Sequence, residues 1–272
     1  MNAIRVRDLR KSYGGRPAVA GVDLDVDTGQ VFALLGPNGA GKSTTVEILE
    51  GLRRRDAGEV SVLGVDPATA PRSWRSAIGI VQQSATDLAE ATVIEAVRHF
   101  TGYYPDPRDP DEVVELVGLT SQRAVMAGRL SGGQRRRLDV ALGIVGRPRL
   151  LFLDEPTTGF DPEARRRFWE LVRLLAGEGC TILLTTHYLD EVEALADRLV
   201  VIDAGRVVAE GTPATLGGRH QAEAVVRWLA PNGPQAHRTA RPAALIRELG
   251  EAPELTVTRP SLEDVYLELI GR

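Results

Sequence analysis

Gly36-Pro37-Asn38-Gly39-Ala40-Gly41-Lys42-Ser43-Thr44 fits G-x-x-x-x-G-K-[ST], a loop shaped to hold the phosphates of a nucleoside triphosphate. The flanks supply the setting that this pattern needs. Val31-Phe32-Ala33-Leu34-Leu35 is a short apolar run that predicts a buried strand. Thr44 to Glu50 predicts a helix, with Val46, Ile48 and Leu49 available to a core. Glycines let backbone N–H groups close on phosphate oxygens, and the helix N-terminus adds partial positive charge at the same point. Lys42 is placed to reach the β/γ-phosphates and Ser43 to ligate Mg²⁺. A glycine-rich turn alone would need neither of them. Lysine is otherwise scarce: Lys11 and Lys42 are the only lysines among 33 basic residues.

A chain of 272 residues has room for one large domain and an appendage. Its 43% hydrophobic and 26% charged residues fit a soluble globular protein. With a net charge of −4 and pI near 5.7, bulk charge offers nucleic acid no attraction. Cys180 is the only cysteine, which excludes an intrachain disulfide and suits a small core position. No apolar run approaches the ~20 residues of a membrane span. Met1 to Arg5 lacks the apolar stretch of a signal peptide, so a cytoplasmic chain is expected.

Along the chain, Ala3 to Leu9 alternates Ile4 and Val6 with polar partners, predicting a half-buried strand. Tyr13-Gly14-Gly15 predicts a turn, and Val22 to Val26 a second alternating strand. Glu59 to Leu63 and Ile78 to Val81 are further strands, the latter running into Gln82 and Gln83. Helical patterns follow: Val93, Ile94, Val97 and Phe100, then Val113, Val114, Leu116 and Val117, separated by the proline-rich stretch 105–110. Leu130-Ser131-Gly132-Gly133-Gln134 opens a helix reaching about Val145. Leu150 to Leu153 is a fully apolar strand ending in Asp154 and Glu155. A helix over 162–176, a strand over 181–185 leading to His187, and a helix over 189–196 come next. A hairpin turns through Asp203-Ala204-Gly205. This alternation predicts an α/β chain with a mostly parallel sheet. Beyond Gly217-Gly218 the expected elements are a strand at 225–226, a loop from Pro231 to Pro234, a helix near 243–249 and a strand at 255–258. Ser261 and Asp264 then form a capping-box pattern, with Leu262, Val265, Tyr266, Leu269 and Ile270 on one helical face.

In open parallel sheets, ligands sit beyond the carboxyl ends of the strands. Asp154 is suited there to hold Mg²⁺ through water, and Glu155 to take a proton from water. One acid after a strand is often only a helix cap. Two acids, a lysine loop and a histidine at one sheet edge suit phosphoryl transfer, which asks mainly for positioning and charge stabilisation. Ser131-Gly132-Gly133 before a helix is a second anion-binding candidate, or else an ordinary capped start. His99, His220 and His237 have no such setting. The arginine runs 53–55, 135–137 and 165–167 read as solvated helix faces rather than nucleic-acid contacts.

The order of phosphate loop, Gln83, LSGGQ, LLFLDE and His187 resembles the ATP-binding subunit of ATP-binding-cassette transporters, over residues 4–215. That resemblance implies a P-loop NTPase core with an N-terminal antiparallel β-subdomain, a helical subdomain and a small C-terminal α+β appendage. The nucleotide-binding domain would cover 1–216, its helical subdomain about 84–147, and the appendage 217–272. It implies ATP and Mg²⁺ as cofactors, with Ser43, Gln83 and Asp154 around the metal. Tyr13 would stack on adenine, and the loop from Gly36 to Thr44 would bind the phosphates. Gln83, rather than Gln82, would sense Mg²⁺ and water. Glu155 would be the general base and His187 the γ-phosphate contact. Leu130, Ser131, Gly132, Gly133 and Gln134 would reach the γ-phosphate held by a second subunit, in a head-to-tail dimer with Asp161 at its interface. Leucine is commoner than Phe160 before that aspartate.

Thr186 to Glu191 and the tail Pro260 to Tyr266 are similar to the drug-resistance exporter branch, daunorubicin efflux included. Its membrane domain is a separate chain, so the implied partners are a second cassette, most simply a copy of this chain, and a permease at the cytoplasmic face of the membrane. The implied activity is hydrolysis of ATP to ADP and phosphate, coupled to export of a small molecule. Related ATPases that act on ribosomes or DNA are the alternative. The DNA-acting ones insert long coiled coils, and the ribosome-acting ones join two cassettes through a basic linker. Neither feature is present in these 272 residues.

Overall fold

Alternating burial builds the first layer. In the computed structural model, which describes residues 2–81 and 88–271, β1 (Asn2–Tyr13) and β2 (Arg16–Asp27) form a hairpin through Gly14-Gly15. After β3 (Val31–Leu35), β4 (Ala57–Val62) pairs with the other side of β1, giving a three-stranded antiparallel sheet in the order β2-β1-β4. Its inward face carries Ile4, Val6, Leu9, Val22, Leu24, Val60 and Val62. These pack against Phe32 and Leu34 of β3 and against Val46, Ile48 and Leu49 of α1 (Lys42–Leu49). The short α2 (Arg72–Arg75) is pinned by the Trp74 indole, whose Nε1 donates to Val62 O at 2.8 Å.

β3, β5 (Ile78–Val81), β6 (Leu150–Asp154), β7 (Thr181–Thr186), β8 (Arg198–Asp203) and β9 (Arg206–Gly211) make the second sheet. Its order is β5-β6-β7-β3-β8-β9, and the pairs from β5 through β8 run parallel. β3 and β7 are buried along their whole length, as near-continuous apolar runs require when helices cover both faces. The strands of these two sheets differ from expectation only at their ends, by one or two residues, except that β1 and β2 extend to Tyr13 and from Arg16.

α3 (Val93–Thr101), α4 (Pro110–Leu116) and α5 (Gly132–Ile144) form the helical insertion, with α6 (Pro162–Gly177) and α7 (Leu189–Leu195) after it. Thr92 and Glu95 cap α3 reciprocally, and Asp109 caps α4 ahead of Pro110. Arg108 lies in the proline-rich link, only 4% exposed. Its amide donates to Val145 O at 2.7 Å and its guanidinium pairs with Glu112 and Glu178, tying the insertion to α6.

The chain divides into two compact units, Met1–Val208 and Ala209–Arg272. Gly217-Gly218, the expected boundary, lies inside the second. That unit holds β10 (Ala224–Ala230), β11 (Gly233–Thr239), α8 (Pro242–Leu249), β12 (Thr256–Thr258) and α9 (Leu262–Leu269), with an antiparallel sheet in the order β11-β10-β12. β11 has no counterpart among the expected elements, which pass from the loop Pro231 to Pro234 directly to the helix near 243–249. The strand is nearly all exposed, and its Gln235, Ala236, His237 and Arg238 carry no apolar alternation. At the sheet edge, Pro234 is tolerated because no neighbour needs its missing N–H.

Candidate functional site

The sheet order puts the carboxyl ends of β6, β7 and β3 side by side, so the segments that follow these three strands share one edge. After β3, Gly41 is the N-cap of α1 at φ 102°, and a Cβ there would meet Ala18 O at 2.3 Å. A Cβ on Gly36 would meet Ile202 O at 2.2 Å. Among the described residues no side chain caps the first turn of α1, and no acid sits in it, which leaves the N-terminal amides to an anion. Lys42 is 6% exposed, and its Nζ donates to Gly36 O at 2.7 Å and Pro37 O at 3.1 Å. Burial lowers its pKa, while Glu155 and Asp154 act in the opposite sense. The lysine and the two acids therefore share one electrostatic neighbourhood. Ser43 is exposed beside it.

Register sets the acids. Asp154 pairs with Thr185 across β6 and β7, and the Thr185 hydroxyl donates to Asp154 Oδ1. Glu155 turns out of the strand at φ 45°, a left-handed conformation that costs a non-glycine residue roughly 1–3 kcal/mol. Its amide holds it there, donating to Thr185 O at 3.1 Å and Thr185 Oγ1 at 3.2 Å. Glu155 Oε1 lies 3.3 Å from His187 Nδ1, so the residues after β6 and β7 meet. Gln83 lies outside the described residues.

Ser131 and Gln134 cap α5 reciprocally, with Ser131 Oγ accepting from Gln134 N at 3.3 Å. Leu130 is half-buried behind them. A Cβ on Gly132 would meet no atom within 4 Å, and one on Gly133 would reach only Phe160, at 3.9 Å. Phe160 is buried and packs edge-on against Phe168 of α6, centroids 6.0 Å apart. Asp161 caps α6, accepting from Ala164 N at 2.8 Å. Tyr13 is 42% exposed, with Lys11 and Arg53 over its ring at 5.6 and 5.3 Å.

The solvated-face reading fails at several of these arginines, Arg136 and Arg165 among them. Arg136 of α5 is buried and donates to Asp154 O and Pro156 O, so it braces the acidic turn from behind. Burial lowers its pKa, opposed by Asp139, Asp154, Glu155 and Glu191. Helical phase was the signal: Arg136 lies four residues before buried Val140 and eight before buried Ile144. Arg165 of α6 covers the Tyr188 ring at 4.8 Å.

A family model described as ABC transporter matches residues 19–158, and full-length relatives match as well. The chain belongs to the ABC transporter family. This ABC protein is 39% identical to the daunorubicin/doxorubicin resistance ATP-binding protein of Streptomyces peucetius, over 99% of this chain and 92% of that one. It is also 39% identical to the Nod factor export ATP-binding protein I of Rhizobium sp. (strain N33), over 99% and 97%. Among solved structures, an ATP-binding subunit of an ABC transporter matches with TM-score 0.75 at 25% identity, over 98% of this chain and 99% of that one. A nucleotide-free ATP-binding cassette matches with TM-score 0.69 at 27% identity, over 78% and 92%. As an ABC ATPase, the chain binds ATP and hydrolyses it to ADP and phosphate in the service of transport.

Proposed function

We propose that this ABC ATPase powers export of a small molecule through a permease carried on a separate chain at the cytoplasmic face of the membrane. Two cassettes, most simply two copies of this chain, would close head to tail over two ATP molecules. The observation that carries the site is the strand order, which gives Lys42, Asp154, Glu155 and His187 a common sheet edge. Export is supported by the relatives, named for drug resistance and Nod factor export along 99% of this chain. No helix among the described residues is long and apolar enough to cross a membrane, in keeping with a separate permease.

On ATP binding, Lys42 exchanges the Gly36 and Pro37 carbonyls for β/γ-phosphate oxygens, and the α1 amides take the remaining charge. Tyr13 stacks on the adenine. The Ser43 hydroxyl, the Asp154 carboxylate and the Gln83 amide oxygen are hard donors that fit Mg²⁺, which when bound would neutralise phosphate charge. Glu155 takes a proton from water as the water oxygen bonds to the γ-phosphorus and the bond to ADP breaks. His187 orients Glu155 and the γ-phosphate together. Ser131, Gly132 and Gly133 of the second copy offer the N-terminal amides of α5, an arrangement that the open space over Gly132 permits. Affinity purification of the intact chain from detergent-solubilised native membranes tests the reading. It should bring down an integral membrane protein with several ~20-residue apolar spans. Recovery of ribosomes or DNA in its place would refute the export assignment.

A further inference from the structure

Glu191, in the first turn of α7, is fully buried. Neither of its carboxyl oxygens has a well-formed hydrogen bond among the described residues, and the same holds for the enclosed Thr157 Oγ1 and Trp169 Nε1. These groups nonetheless bear on one another: Thr186, Thr157 and Trp169 all act on the Glu191 carboxyl as donors. The chemistry is complementary. An indole N–H can only donate, the two hydroxyls are free to do so, and a carboxyl offers up to four acceptor sites. The Thr186 oxygen already accepts from Tyr188 N at 3.0 Å, which leaves its proton available. Arg136 faces the carboxyl from α5 and Asp190 lies beside it.

Position gives the cluster its meaning. Thr157 stands two residues beyond Glu155, Thr186 immediately precedes His187, and Trp169 rides on α6, which Asp161 caps. The outer side of the same histidine loop is also held from α6. The Tyr188 ring lies 4.1 Å from the His187 ring, and Arg165 covers Tyr188 while pairing with Asp190 at 2.9 Å. Inside that grip, complementary groups are enclosed close enough to act on one another but short of full hydrogen-bonding geometry, so a small inward movement of either segment is favourable.

We propose that Glu191 is a positioning residue for ATP hydrolysis, whose carboxyl accepts from Thr157, Thr186 and Trp169 when nucleotide engages and so locks the Glu155 segment to the His187 loop. The proposal rests on the roles given above to Glu155 and His187. ATP hydrolysis and thermal melting of the full-length chain test it in Glu191→Leu, Glu191→Gln and Trp169→Phe, with Glu155→Gln alongside. Glu191→Leu removes every acceptor, and misplacing reacting groups should lower kcat about 10–100-fold while KM for ATP stays within about twofold. Glu191→Gln keeps one acceptor oxygen and should recover most of that loss. Trp169→Phe removes one donor and keeps an aromatic ring, so kcat should fall about two- to fivefold. Wild-type kcat in a folded Glu191→Leu, or an equally deep loss in Glu191→Gln, overturns the proposal. Should Glu191→Leu fail to fold, unchanged kcat in both Trp169→Phe and Thr157→Val overturns it instead. An active Glu155→Gln would overturn the site reading beneath it, a result that Glu191 variants alone cannot imitate.

Discussion

At the scale of single residues, charge and burial decide the outcomes. Lys42 is the only ammonium in the phosphate loop, and its carbonyl bonds to Gly36 and Pro37 hold it there before ATP arrives. Lys42→Ala should lose ATP affinity and turnover together; near-normal hydrolysis in a coupled phosphate-release assay would remove Lys42 from the site. Glu155→Gln keeps shape and one hydrogen bond but not the base, so hydrolysis should fall about 10²–10⁴-fold while binding survives. In size-exclusion chromatography with ATP, that variant should accumulate as a dimer. A monomer with weakened Mg²⁺-ATP affinity would make Glu155 a metal ligand instead. Glu191 yields a pH prediction. Burial raises its pKa above the unfolded 4.5, with Thr186, Thr157 and Trp169 opposing and Asp190 reinforcing. Native stability is therefore lost as pH rises from 4.5 to the folded value, because the unfolded chain ionises first. Glu191→Gln escapes this loss, so its melting temperature should gain on the wild type as pH rises above 4.5. A gap that narrows over that range would mean an ionised, partnered carboxylate.

Elements show where local rules suffice. Three helices begin with a reciprocal capping box, Thr92/Glu95, Ser131/Gln134 and Ser261/Asp264, and such patterns are visible in sequence because they span four residues. The last opens α9, whose Leu262 and Val265 are buried within the second unit. Val265 lies against the Leu216–Gly218 turn, where a Cβ on Gly217 would meet its Cγ1 at 2.5 Å. Tyr266, Leu269 and Ile270, expected on the same face, are only partly buried. Truncation after Arg259 removes two buried aliphatic side chains, worth an upper limit of about 3–6 kcal/mol. Thermal melting should show the loss as an earlier transition of the second unit. An unchanged transition would mean that α9 contributes nothing to it.

On the scale of the whole molecule, the loop Ser131 to Gly133 is the part that the proposed mechanism assigns to a second copy. Among the described residues, a Cβ on Gly132 would meet nothing within 4 Å and Ser131 bonds only locally, as a helix cap. If Ser131 serves a neighbour's ATP, Ser131→Arg and Lys42→Ala should each be inactive, yet complement when mixed. Random pairing puts one intact composite site in half the dimers, so about a quarter of wild-type activity should return. Ser131→Arg also removes a cap worth about 1 kcal/mol, and a melting curve controls for that. No recovery from two folded variants would argue against a site shared between copies.

Local pattern alone identified the phosphate loop, the acids after β6, the histidine after β7 and nearly every element of the first unit. Each rests on a motif, cap or periodicity contained within about 15 residues. β11 escaped because an exposed edge strand needs no apolar alternation. Tertiary structure alone decided the strand order β5-β6-β7-β3, and with it the meeting of Glu155 and His187, 32 positions apart in the chain. It also turned Lys42 onto its own loop, buried Arg136 behind Asp154, and enclosed Glu191 with Thr157 and Trp169. Such placements follow from which distant surfaces exclude water together, and a polar side chain's fate depends on what arrives over it from elsewhere in the chain.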